Sequence, residues 1–329
     1  MAISDTTLTG SQPGTPRGRW RFLGGTRGVD TIAWLVTLVA ALSVLFVTVW
    51  LVVELWHRSA LPRHAFGFRF LLDSVWDPVF GHFGALPFVY GTLVTSAVAM
   101  TIAVPLGVGA AIFLAELAPR GFSDALTFLI ELLAAVPSVV LGLVGIFVVV
   151  PWVRTSFGPL LKKLFGFTPL FQGPIYGVGF LTAGLVLAIM VLPFIVSISR
   201  EVLLSVPTDL REGALALGAT QWESTWKVVV PTAGTGILAS IFLGLARALG
   251  ETMAVTMVIG GTPRIAASLF APGYSIASVI ADQFTEATGD LFRQSLVELG
   301  LVLFGITVLL HALARVLVHY TARKARGAA

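Results

Sequence analysis

Long apolar runs separated by short polar ones set the pattern of this chain. Residues 31–53, 88–117, 126–150, 177–198, 234–259 and 295–318 are each near or above the roughly 20 residues a helix needs to cross a bilayer. The pattern predicts six membrane-spanning helices. A further apolar piece at 276–280 sits in the Gly- and Pro-containing stretch 260–294 and is too short to cross, so it reads as a partly buried or re-entrant helix. The first run is too long for a signal-peptide core and has no clear cleavage site, which makes it a retained span. The expected fold class is an all-α membrane protein.

One polar island stands out in the second half, from Arg211 to Pro231. Glu212 to Leu217 favours helix, Gly218 permits a sharp bend, and Thr220 to Lys227 can form a second short helix. Trp222 and Trp226 fall one turn apart on one face, and Pro231 suits the first turn of the next span. The pattern predicts a helix-turn-helix on the membrane surface; a plain solvated loop is the alternative. The segment 54–87 mixes Arg58, Arg63, Arg69, Asp73 and Asp77 with Trp56, Phe66, Phe68, Phe70, Trp76 and Phe80. It reads either as an aromatic belt of lipid anchors or as a partner-docking surface.

Composition agrees with the pattern. Of 329 residues, 56% are hydrophobic and only 12% charged, about half the share of a soluble domain. Cysteine is absent, which excludes disulfides and thiolate metal sites. The five histidines are scattered, and no metal or catalytic cluster is evident. No Gly-x-x-x-x-Gly-Lys-Ser/Thr loop is present, so the chain does not bind ATP by that route. The net charge of +4 comes from basic residues flanking the spans, which needs no nucleic-acid partner. Six spans place both termini on one side, with Arg120, Arg200, Arg211 and Lys227. That side is the more basic, which makes it and both termini cytoplasmic. The domain organisation follows: a disordered basic tail over 1–28, a first span and extracytoplasmic loop over 29–87, a five-helix domain over 88–320 containing the polar loop 200–231, and a basic tail over 321–329.

The polar island resembles the cytoplasmic loop of ABC importer permeases. That pattern is Glu-Ala-Ala, three residues, Gly, nine residues, Ile-x-Leu-Pro. Glu212, Ala214, Gly218 and Pro231 fall in register; Gly213 replaces the middle Ala, and Val228 and Val230 replace Ile and Leu. The resemblance implies coupling helices that dock on a separate ATPase subunit through Glu212, Ala214, Gly218, Trp222 and Trp226.

Two charges lie deep in the expected fifth span, Arg247 and Glu251. Each costs about 2.5–3.5 kcal/mol at mid-helix on insertion scales. Four residues apart, they share a face of a continuous helix. An internal ion pair that makes the helix tolerable is one reading. The other is a polar path on which Arg247 offers a planar cationic fork to an oxyanion. The run Arg247-x-x-Gly250-Glu251-Thr252-Met253-Ala254-Val255-Thr256-Met257 resembles the phosphate-specific branch of the same permeases, as does Ile130 to Val140 with Glu131 in the expected third span. The resemblance implies a permease subunit of an ATP-driven phosphate importer in the cytoplasmic membrane, with no cofactor and no catalysis of its own. Arg247 and Glu251 would line the path, and Glu131 would face the path or a gate, or pair with a neighbouring helix. It implies a second permease subunit, two copies of an ATPase, an extracytoplasmic phosphate-binding protein and the lipid bilayer as partners. A permease for sulfate or molybdate, or a phosphate-sensing membrane scaffold, are the alternatives.

Overall fold

The structure is a computed structural model that describes residues 27–326. The expected disordered tail falls outside the described residues, except that Arg27 and Gly28 already belong to a helix. The chain divides after Val53 into two units. The first holds most of α1 (Arg27–Arg58), whose side chains are exposed almost throughout 30–53.

The second unit follows a simple order: α2 (Ala60–Phe66), α3 (Arg69–Leu72), the strands β1 (Trp76–Asp77) and β2 (His82–Phe83), then α4 (Leu86–Ile112) and α5 (Arg120–Ala134). After these come α6 (Ser138–Val144), α7 (Val150–Trp152), α8 (Gly158–Phe165), α9 (Phe180–Leu204), α10 (Thr208–Ala216) and α11 (Gln221–Ser224). The chain ends through α12 (Val230–Gly250), α13 (Met253–Ile259), α14 (Ile276–Gln283) and α15 (Asp290–Arg326). Among the described residues six helices are long and apolar enough to cross a membrane: Asp30–Arg58, Leu86–Leu117, Ser138–Phe165, Phe180–Leu204, Gln221–Gly250 and Asp290–Val316. The six expected spans are therefore present, with two sets of bounds corrected.

The expected third span at 126–150 is two elements. Pro137 has no N–H and keeps Val136 out of helical geometry, so the chain breaks between α5 and α6. Glu131 is thereby on the separate helix α5, exposed, and outside the spans. The stretch beyond residue 150, between the expected third and fourth spans, is helical as far as Phe165, so Arg154, Lys162 and Lys163 lie on helix. The fifth span is also displaced. It begins at Gln221, fused to what was expected to be a separate surface helix, and ends at Gly250 rather than at residue 259.

Four π-helical turns, Phe113–Leu117, Gly145–Val149, Val153–Phe157 and Thr225–Val229, have a common origin. Each ends two residues before a proline: Pro119, Pro151, Pro159 and Pro231. A proline ring crowds the carbonyl four residues back and supplies no donor to it. Widening the turn relieves the crowding. In each case the residue just before the proline donates to the carbonyl five back, as Val230 does to Thr225. Pro231 thus sits inside a continuous helix, not at the start of one.

α9 is the innermost helix, with Ala183, Val191 and Ile195 fully buried. It packs along α4 so closely that a Cβ on Gly184 would come within 2.4 Å of Val98 Cγ1, and one on Gly107 within 2.8 Å of Ile195. Ser199 and Ser240 share a buried 2.7 Å hydrogen bond that joins α9 to α12. A second core gathers Phe70, Trp76, Phe83, Phe88, Tyr274, Leu296 and Leu299. The aromatic segment 54–87 therefore splits. Phe70 and Trp76 are core, while Phe68 and Phe80 remain exposed. α14 is the short buried helix expected near 276–280. It docks on α4 through the Ile276 N–H, which donates to Thr92 Oγ1 at 2.9 Å. Beside it the Tyr274 hydroxyl donates to Asp282. Burial and this carboxylate push the phenol well above its ordinary range.

Candidate functional site

The polar island folds into two helices at a bend. Gly218 has φ +87°, a conformation that favours glycine, and the space where its side chain would project is open. The chain restarts with a capping box: Thr220 Oγ1 accepts from the Glu223 N–H at 3.3 Å, and Glu223 Oε2 accepts from the Thr220 N–H at 3.0 Å. Lys227 Nζ lies 3.2 Å from Glu223 Oε1. Trp222 and Trp226 meet edge to face with centroids 5.5 Å apart. They remain 55% and 47% exposed, and Leu217 is 91% exposed. Large apolar side chains thus stand exposed on an otherwise polar element. Glu212 is exposed on α10, and Ala214 is half-buried behind it.

Residues that sequence reasoning missed hold this element in place. Glu116, in the wide turn that ends α4, receives Arg211 Nη2 at 2.8 Å and Nε at 3.2 and 3.3 Å. The two side chains are 8% and 19% exposed. They are 95 residues apart in sequence, so no local spacing links them. A lone acid at the end of an apolar run was the only signal available.

Arg247 and Glu251 do not pair. The helix ends between them: Gly250 closes α12, and Glu251 is extended, with φ −70° and ψ 127°. The i to i+4 argument fails because it assumed a continuous helix. Arg247 instead lays its guanidinium over the Phe194 ring of α9, 4.2 Å from the centroid, and its buried Nε has no hydrogen-bond partner. Glu251 turns forward, and its Oε1 accepts from the Ala254 N–H at 3.3 Å in the first turn of α13. α13 packs in parallel against α6. A Cβ on Gly142 would meet Ala254 and Met257, and one on Gly145 would meet Val258. The two helix starts, Ser138 and Met253, therefore lie at one level, close to the break that carries Glu251. The Glu131 side chain is exposed on α5 and is brought to neither Arg247 nor Glu251.

The arrangement is a surface knob joined by one unbroken helix, Gln221–Gly250, to a cation beside a helix break. The model for the binding-protein-dependent transport system inner membrane component matches residues 103–327. The phosphate transport system permease protein PstC of Mesorhizobium japonicum is 48% identical over 290 residues, covering 87% of this chain and 89% of its own. PstC of Pasteurella multocida is 49% identical over 77% of this chain and 80% of its own. A probable PstC of Methanocaldococcus jannaschii is 36% identical over 81% and 86%. Among solved structures, a bacterial alginate ABC transporter bound to its periplasmic protein gives a TM-score of 0.58 at 13% identity, covering 86% of this chain and 93% of that one. The MetNI methionine ABC transporter, in an inward-facing form, gives 0.54 at 16% identity, covering 75% and 99%. At these identities the two structures speak for the fold alone.

Proposed function

The chain belongs to the family of binding-protein-dependent transport system inner membrane components, and from that premise we propose that it is the PstC-type permease of an ATP-driven phosphate importer. The single observation that carries this reading is the agreement of three PstC relatives over more than three quarters of the chain. In this reading residues 88–320 are the transport domain, and residues 29–87 supply the first span and an extracytoplasmic loop. Both termini and the knob face the cytoplasm. A PstA-like second permease closes the pathway, two PstB-like ATPases dock on Trp222 and Trp226, and a PstS-like protein delivers phosphate from outside.

The geometry supports a mechanism in the residues' own terms. ATP-driven movement of the ATPases displaces the knob. Gln221–Gly250 is a rod of about 45 Å at 1.5 Å per residue, so displacement at the tryptophans reaches Arg247 without passing through a loop. Arg247 lowers the cost of holding an anion in a low-dielectric setting, and its guanidinium carries a planar set of N–H donors suited to an oxyanion. Glu251, held at the break, accepts a hydrogen bond from a protonated phosphate oxygen, which fully ionised sulfate cannot donate. Glu131 lies off this line, exposed on α5.

The test is ATP-dependent uptake of labelled phosphate into vesicles holding the reconstituted transporter, with sulfate and molybdate as competitors. Uptake that resists both competitors and is lost in Arg247→Gln and Glu251→Gln supports the reading. Displacement by sulfate or molybdate assigns another oxyanion, and ATP-independent binding without uptake assigns a sensing scaffold.

A further inference from the structure

We propose that Arg211 and Glu116 form the bolt through which α10 drives the α4–α9 pair, so that they are positioning residues for energy coupling. The inference rests on the importer reading above and adds a transmission route to it. α10 has no buried residue. It therefore lacks the apolar anchor that holds most surface helices to their domain. What ties it down is polar. Arg211 spends four of its five N–H donors: Nε and one Nη2 hydrogen go to Glu116, the other Nη2 hydrogen to the Leu203 carbonyl at 2.7 Å, and one Nη1 hydrogen to the Val206 carbonyl. Leu203 lies in the last turn of α9, Val206 just beyond it, and Glu116 at the end of α4. One planar side chain thus clamps the ends of both helices.

A second tie enters from α11, where Gln221 Nε2 donates to the Glu116 carbonyl at 2.6 Å. The contrast with the other ion pair on the knob is sharp. Lys227 and Glu223 are 73% and 43% exposed, and such a pair transmits little. The Arg211 cluster is shielded, and α4 and α9 are locked together by glycine-mediated packing. A push on α10 is therefore delivered to α4 and α9 together, while α11 delivers its own push along α12. The knob has two outputs, and Arg211 is the connection for one of them.

The chain has no native cysteine, so a pair introduced into it is the only thiol pair this subunit brings to the complete transporter. Arg211→Gln and Glu116→Gln are compared with wild type for phosphate taken up per ATP hydrolysed and for amide exchange over residues 208–217. A Glu116→Cys/Arg211→Cys form is assayed before and after bridging with a short bis-maleimide. The expected result is ATPase activity retained, uptake per ATP lowered at least tenfold in Arg211→Gln, faster exchange over α10, and recovery on bridging. Wild-type uptake per ATP in both Gln variants, or no gain on bridging, overturns the proposal. If both variants shed the ATPase subunit, Arg211 serves docking and not transmission, which also overturns it. A wild-type complex that moves no phosphate counts against the importer reading instead, and the exchange arm still tests the bolt.

Discussion

Replacing Arg247 by Gln or Met separates a structural charge from a working one. A membrane-buried arginine costs up to about 2.5–3.5 kcal/mol on insertion scales. The visible compensation is its stacking on Phe194 at 4.2 Å, worth about 0.5–2 kcal/mol. Its Nε gains nothing, having no partner, and no carboxylate pairs with it among the described residues. The balance is a net cost of about 0.5–3 kcal/mol that neutral side chains avoid. Arg247→Met is therefore expected to leave thermal unfolding of the solubilised complex unchanged or a few degrees higher, while uptake falls by about 100-fold or more, about 2.7 kcal/mol at 1.36 per tenfold. Arg247→Lys keeps the charge but loses the planar fork and is expected to fall between. Uptake by the vesicle assay and unfolding by scanning fluorimetry read the two quantities separately. Unchanged uptake in Arg247→Met, or a complex that unfolds well below wild type with uptake scaling to the surviving fraction, would refute the reasoning.

Trp222→Ala removes a side chain already 55% exposed, so stability should move by less than about 0.5 kcal/mol. Affinity for the ATPase, measured by titration against the purified subunit, should drop about 30-fold, as for a contact of about 2 kcal/mol. Gly142→Val places a Cβ 2.5 Å from Met257 Sδ and 3.1 Å from Ala254 Cα. Overpacking of about 1–3 kcal/mol should lower the unfolding temperature and impair uptake together, whereas Gly213→Ala, with open space around it, should do neither. Tyr274→Phe loses a hydrogen bond to a carboxylate, costing about 1.5–3 kcal/mol near pH 8. Because the native phenol is held protonated above its unfolded value of about 10, wild-type stability from this group is present below pH 10 and declines above it. Melting curves from pH 8 to 11 should show the gap between wild type and Tyr274→Phe narrowing at the alkaline end.

Apolar run length located six spans and the short helix at α14, and one permissive residue located the bend at Gly218, because each depends on local sequence. It misplaced what depends on carbonyl geometry. Pro137 ends a helix and Pro231 does not, and the difference is a widened turn before Pro231 that an apolar pattern does not encode. The same limit hid the break at Glu251, so a pair placed on one face by spacing became two residues with different neighbours. The Trp222–Trp226 face was legible because both residues lie within one turn. Glu116 was not, because its partner is 95 residues away and only the packing of α4 beside α9 brings them together.

The wide turn at Thr225–Val229 also sets an angle. Trp222 and Arg247 are separated by 25 residues, about 6.9 turns of regular α-helix, which would point both in nearly the same direction. The π-helical turn consumes one extra residue without completing an extra turn. Everything beyond it is rotated by about 100° relative to the tryptophans. The rod is in that sense keyed: its two ends are cut at a fixed phase, and the key is the geometry Pro231 imposes. Replacing Pro231 by Ala would let the wide turn close to regular α-helix, keeping the length to within about 1.5 Å and leaving Trp222, Trp226 and Arg247 in the sequence. It would turn the tryptophan face by about 100° away from the direction in which Arg247 is aimed.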